Sequence, residues 1–291
     1  MQRRTFLSAT TAVATSSLLL PRASFSAEPR PEIEFVVVTD THLGYKDKDA
    51  ALKLWSKTAA AIDKQPGKFV LHLGDVVDRG VDEQYPRYLE ARQLIKKPVH
   101  EIPGNHDPAE TFQKHLRQEI DTASVYDWLR VVLVNNSHTD SHDGFLTEQQ
   151  LAWLAEQAAL AAKHHQQLLF CLHVPVHSNK HPDRGWHVKP ASGQTQFYDL
   201  LKEHEARTLA LFHGHFHNGL RGWHDHGKLH EVCFPSALYN LDRQLEAKQA
   251  PGYNPVEYRP GYTLVKITDK EIQLRFQATD AADALKKNLA V

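Results

Sequence analysis

Residues 208–217 read TLALFHGHFH, a short apolar run that ends in imidazoles at alternate positions, His213, His215 and His217, with Gly214 between the first two. A run this short, punctuated by glycine, reads as a buried strand. Alternate residues at a strand end face one side, so His215 and His217 can reach the same ligand or two neighbouring ones. Gly214 keeps the backbone lean beside them. His213 is left over and reads as a supporting or core imidazole. Polar groups at the end of a buried strand are costly unless paired or metal-bound.

The same design recurs along the chain. EFVVVTD (34–40), KFVLHLGD (68–75), KPVHEIPGN (97–105) and LLFCLH (168–173) are further short apolar runs that read as strands and end in polar groups. SVYDWLRVVLVNN (124–136) reads as paired strands, and YTLVKITDKEIQLRFQ (262–277) as a closing hairpin. Between them lie helical patterns. Residues 49–64 place Leu52, Trp55, Ala59 and Ile62 on one stripe, and Val81 to Ile95 reads as a second helix. Thr147 with Gln150 three positions on is a capping-box pattern, followed by an apolar face of Leu151, Leu154, Ala155 and Ala158. The polar, Pro/Gly-punctuated segment 177–193 reads as a long loop. Alternating strands and helices predict one α/β domain around a largely buried sheet system.

Composition narrows the function. The 291 residues include 20 histidines, an unusual share, and carry a formal net charge of −1. The first residues, MQRRTFLSATTAVATSSLLLPRASFSAEP, have a positive start, an uncharged stretch and small residues near Ser26. That layout predicts an export signal over 1–26, with Arg3-Arg4 of twin-arginine type, a domain over 27–291 and a periplasmic or extracellular location. Losing the three arginines of that segment takes the charge from −1 to −4, so no nucleic-acid partner is expected. No other stretch is apolar enough for stable membrane insertion, and nothing in the composition bears on oligomeric state. Cys171 and Cys233 both lie in strand-like runs and read as buried core thiols.

The ends of the predicted strands hold the chemistry: Asp40 and His42; Asp75; Asn105, His106 and Asp107; His173; His215 and His217. Strand ends of α/β sheets gather on one edge, where ligands bind. Mixed Asp, Asn and His donors suit first-row ions such as Mn, Fe or Zn. They are too many for one four-coordinate ion and about right for two ions sharing a carboxylate, an arrangement suited to phosphoester hydrolysis.

DTH (40–42), GDVVDRG (74–80), GNHD (104–107), His173 after its apolar strand and GHFH (214–217) occur in order, and together they resemble the five motif blocks of the calcineurin-like metallophosphoesterases. The resemblance implies a four-layer αββα sandwich of two mixed β-sheets flanked by helices, acting on a phosphoester substrate with two divalent or trivalent transition-metal ions. It places Asp40, His42, Asp75 and His217 on one ion, and Asp75, Asn105, His173 and His215 on the other, with a bridging hydroxide attacking phosphorus. It makes His106 the imidazole that assists the leaving group or binds phosphate, with Asp78 orienting it. Arg79 is a candidate phosphate contact, as in the protein-phosphatase branch.

Within that family, GFLTEQQLAWL (144–154) before the His173 strand is most similar to the bacterial cyclic-nucleotide phosphodiesterase-like group. DTHLGY (40–45) locally resembles repair exonucleases, but the acidic charge and the export signal speak against an exported nuclease. A serine/threonine-type protein phosphatase and a metal-binding protein without turnover are the other readings. His177, His181 and His187 of the long loop read either as a substrate-contacting lid or as a solvated loop. His138 and His142 read as a polar turn, and His224, His226 and His230 as a loop running into a strand. Trp55, Trp128 and Trp153 fit core stripes.

Overall fold

The structure, a computed structural model, describes residues 30–178, 185–223, 229–240, 255–282 and 284–291. The leader read at 1–26 lies outside them, as do His181, His224 and His226. Strand β1 (Ile33–Val38) shows why the apolar runs are continuous rather than alternating. Phe35 and Val37 face one core, Val36 and Val38 face another, and all four are buried.

β1 pairs in parallel with β2 (Val70–His72), which pairs in parallel with β3 (Val99–Glu101). On its other side β1 meets β10 (Gly261–Ile267), extended by β11 (Glu271–Ala278) and β12 (Ala284–Ala290), all antiparallel. The second sheet runs β4 (Thr122–Tyr126), β5 (Leu129–Leu133), β6 (Gln167–Cys171), β7 (Thr208–His213), β9 (His230–Cys233) and β8 (Arg221–Trp223). Here β5, β6, β7 and β9 are parallel, and the two outer strands are antiparallel.

Phe35, Phe69, Val131, Leu169 and Phe212 belong to the core between the two sheets. Helices α1 (Lys48–Asp63) and α2 (Gln84–Arg92) cover the outer face of the first sheet through Trp55, Ile62 and Tyr88. Helices α4 (Glu148–Lys163) and α5 (Gln194–Glu203) cover the second through Leu154 and Phe197, and α3 (Ala109–His115) follows the GNHD loop. The layers are therefore helix, sheet, sheet, helix, and both sheets are mixed.

The capping box forms: Thr147 accepts from Gln150 N–H, and the Gln150 side chain reaches back to Thr147 N–H. The paired strands and the closing hairpin form as expected. Three details differ. The helix expected over 81–95 is shorter, because Gln84 is tied back to Arg79 N–H and Lys96 N–H turns to Asp63. Helix α5 follows directly on the polar loop. Strand β12 is an edge strand whose residues alternate only between exposed and half-buried, so its sequence ALKKNLA carries little apolar periodicity. Cys171 and Cys233 are buried thiols on strands separated by β7.

Candidate metal centre

The polar groups following β1, β2, β3, β6 and β7 converge on one edge of the sandwich. In one group, His217 Nε2 lies 2.9 Å from Asp40 Oδ1 and 3.1 Å from His42 Nε2, and His42 Nε2 lies 3.3 Å from Asp75 Oδ2. In the other, His173 Nε2 lies 3.3 Å from Asp75 Oδ2, 3.3 Å from Asn105 Oδ1 and 3.2 Å from His215 Nδ1. The same oxygen, Asp75 Oδ2, belongs to both groups. Donors about 2.0–2.2 Å from one ion lie roughly 3.0–3.5 Å apart, so this spacing suits a coordination shell.

The hydrogen bonds behind the donors sharpen that reading. His173 Nδ1 donates to the Leu73 carbonyl at 2.7 Å, and His217 Nδ1 donates to the Tyr239 carbonyl at 3.0 Å. In each neutral ring Nε2 is therefore a bare lone pair, yet it faces carboxylate oxygens and other imidazoles. Acceptors set against acceptors in a buried site are an arrangement that a bound cation would satisfy. His215 turns Nδ1 toward this group, and its Nε2 is buried without a hydrogen-bond partner among the described residues.

The backbone is bent to deliver these groups. Asp40, His42, Asp75, His215 and His217 all have left-handed backbones, with φ of 54°, 38°, 52°, 72° and 52°. For non-glycine residues this costs on the order of 1 kcal/mol each and persists only where surrounding contacts enforce it. Asp40 accepts from Thr39 Oγ1 at 2.6 Å and from His215 N–H. Asp75 Oδ1 accepts from His106 N–H at 2.9 Å, leaving Oδ2 to the donor groups. A Cβ on Gly104 would lie 2.1 Å from Asp75 Oδ1, and one on Gly214 2.5 Å from Asp40 Oδ2. Only glycine lets the loops close this tightly. Asp107 ties the GNHD loop to the GDVV loop, accepting from Val76, Val77 and Gly104 N–H.

Charge follows geometry. Burial alone would raise the Asp75 carboxyl, but His173 and His42 outweigh it and hold its pKa well below the ordinary range. Burial likewise opposes His217 at Asp40, and there too the imidazole prevails. Burial would lower His173, but Asp75 and Asp40 lift it to about 9. His215 is driven well below its usual value, by burial and then by His173.

Above the donors opens a cleft of about 140 Å³. His106 lines it and donates from Nδ1 to the backbone carbonyl of Asp78 at 2.6 Å. Asp78 thus meets His106 through its carbonyl, while its carboxylate sits 3.5 Å from His42 Nδ1. Arg79 is not in the cleft lining; it borders a neighbouring cavity.

Three cleft residues, His142, Trp186 and Tyr239, go beyond the motif blocks. His142 stacks on Trp186 at 4.2 Å between ring centroids, and Tyr239 stacks on Tyr45 at 4.8 Å. His142 stands in the segment read as a polar turn, where no pattern marks its direction. Trp186 belongs to the long loop and Tyr239 follows β9, so neither occupies a recognisable block. The other loop histidines are elsewhere. His138 stacks on Phe145, His187 caps the Gly185 carbonyl, and His177 is buried with its N–H on Glu231. His213 is buried within β7, and burial lowers it to about 3. Trp55 is buried, whereas Trp128 and Trp153 are only partly buried.

A family model for calcineurin-like phosphoesterases matches residues 33–219. A protein from Arcobacter nitrofigilis named "probable glycerophosphodiester phosphodiesterase GpdQ" is 29% identical over 206 residues, covering 62% of this chain and 71% of that one. A "probable cyclic nucleotide phosphodiesterase" from Rhodopseudomonas palustris is 26% identical over 233 residues, covering 69% and 80%. In fold, the chain is similar to a dimetal phosphatase from Danio rerio, with a TM-score of 0.65, 14% identity and coverage of 88% and 99%.

Proposed function

The chain belongs to the calcineurin-like phosphoesterase family, and from that premise we propose that this hydrolase of phosphoric esters is a phosphodiesterase that works with two transition-metal ions. The observation that carries the proposal is Asp75 Oδ2, common to both donor groups. Asp40, His42, Asp75 and His217 would hold one ion, and Asp75, Asn105, His173 and His215 the other. Their nitrogen and oxygen donors suit Mn, Fe or Zn. When bound, such ions supply Lewis acidity toward phosphoryl oxygens and activate water near neutral pH.

The remaining work falls to side chains of the cleft. With Nδ1–H of His106 held by the Asp78 carbonyl, Nε2 is the atom left to carry a proton. As an imidazolium it can donate to the leaving oxygen, or hold a phosphoryl oxygen. Trp186, His142 and Tyr239 shape the cleft in which an ester would lie. Preference for diesters over monoesters is supported by relatives named for glycerophosphodiesters and for cyclic nucleotides.

Initial rates of the manganese-loaded protein on bis-p-nitrophenyl phosphate and on p-nitrophenyl phosphate test this reading. A strong diester preference is expected; a monoester preference would replace the phosphodiesterase by a phosphatase. We also propose that residues 1–26 export the protein by a twin-arginine route. A reporter exported equally well with Arg3 and Arg4 both changed to Lys would remove that route.

A further inference from the structure

Beyond β9 the chain reads FPSALYN (234–240), a stretch outside every motif block, yet two of its backbone groups meet the metal centre. Ala237 N–H donates to the Thr39 carbonyl at 2.9 Å, beside Asp40. The Tyr239 carbonyl accepts from His217 Nδ1 at 3.0 Å. These contacts reach donors that arrive from different sheets, Asp40 after β1 and His217 after β7.

Ser236 is the pivot of the stretch, and it is fully buried. A serine hydroxyl has one proton and two lone pairs, and here all three are used. Oγ donates to the Asp40 carbonyl at 2.8 Å, and accepts from Leu238 N–H at 3.0 Å and Tyr239 N–H at 3.2 Å. A serine side chain that takes up N–H groups two and three residues on bends the chain into a tight turn. Asn240 closes the turn from its far side. Its Oδ1 accepts from Ser236 N–H at 2.7 Å, and its Nδ2 donates to the carbonyls of Ser236 and Arg259.

The turn acts on two donors at once. With Nδ1–H of His217 held on the Tyr239 carbonyl, Nε2 is presented as a lone pair, 2.9 Å from Asp40 Oδ1. Asp40 keeps a left-handed backbone, which persists only where contacts enforce it, and the Ser236 hydroxyl on its carbonyl is one such contact. Asp40 and His217 belong to the same donor group, and neither belongs to the other.

On the premise that the centre holds two ions, we propose that Ser236 is a positioning residue for one of them. Through a single hydroxyl it sets the Asp40 backbone and, by way of Tyr239, the tautomer and direction of the His217 ring. The group behind a ligating imidazole governs how well that imidazole binds. The ion held by Asp40, His42, Asp75 and His217 therefore depends on Ser236, and the ion held by Asp75, Asn105, His173 and His215 does not.

Competition titration of the full chain with Zn²⁺ against a chromophoric chelator tests the assignment. Wild type should take up two ions. Ser236→Ala should also take up two, one bound about tenfold to a hundredfold more weakly and the other unchanged. NMR of the zinc-loaded protein supplies a second readout. The imidazole N–H resonance that is missing in His217→Ala should exchange with solvent about tenfold faster in Ser236→Ala than in wild type. Asn240→Ala opens the same turn from its other end and should weaken the same ion, which keeps the question answerable if Ser236→Ala does not fold. Equal weakening of both ions would make Ser236 an ordinary core residue and overturn its assignment to one ion. Affinities and exchange equal to wild type would overturn it as well. A wild type that takes up a single ion would instead sink the two-ion reading; the N–H exchange would still decide whether Ser236 holds His217.

Discussion

Asp75 divides its two oxygens between different tasks: Oδ1 anchors the GNHD loop through His106 N–H, and Oδ2 faces both imidazole groups. Asp75→Asn removes the shared charge while keeping the shape. It should lose tight binding of at least one ion, read by metal analysis after dialysis, and lower kcat by about a thousandfold or more. His106 should separate from that behaviour. Its ring lines the cleft but lies in neither of the two donor groups, so His106→Asn should retain metal while kcat falls by about 100-fold to 10,000-fold. Metal loss in His106→Asn would turn it from a proton carrier into a ligand.

At the level of elements, the strands and the loops follow different rules. Runs such as FVVV and LLFC are legible because both faces of their strands are buried, so each residue is apolar. The donor loops are legible for another reason: where the chain passes close against a carboxylate, only a residue without a Cβ fits. Gly104 illustrates it, since an added Cβ would press on both Asp75 Oδ1 and Asp75 N, at 2.1 and 2.3 Å. Gly104→Ala should therefore reduce bound metal and turnover together, with little change in circular dichroism. Unchanged metal content would mean that the two loops are not rigidly coupled. What stayed hidden are elements whose faces are only half-buried, such as β12, and cleft residues such as Tyr239, whose direction depends on a carbonyl contact with His217.

Over the whole molecule, the donors come from both sheets. Asp40, His42, Asp75 and Asn105 follow strands of the first, and His173, His215 and His217 follow strands of the second. Bound ions would thus clamp the two sheets at one edge of the sandwich. Saturating Mn²⁺ at about 100 Kd adds roughly 3 kcal/mol per independent site. The melting temperature should rise by roughly 5–10 °C and return with chelator; a melting curve indifferent to metal would deny the clamp. Acid stability has a separate source. His72 is fully buried between Trp55 and Tyr88, and burial lowers it to about 3 from 6.5. The unfolded chain takes up that proton first. The contribution is therefore complete above pH 6.5 and is lost as pH falls toward 3, at about 1.4 kcal/mol per pH unit. In chelator-treated protein, His72→Phe should flatten the dependence of unfolding free energy on pH between 4.5 and 6.5. An unaltered slope would place the proton linkage elsewhere.

The order of the blocks and the burial of the strands were determined by the sequence itself, because a strand covered on both faces admits only apolar residues and a metal shell admits only a few donor types. The candidate donors were legible on the same ground: Asp40, His42, Asp75, Asn105, His173, His215 and His217 do converge. Only the tertiary structure decided which oxygen is shared, which way Asp78 meets His106, and that Arg79 faces a second cavity rather than the cleft. Those outcomes depend on the crossing of loops from two sheets, where a residue's neighbours are set by packing and not by its place in the chain.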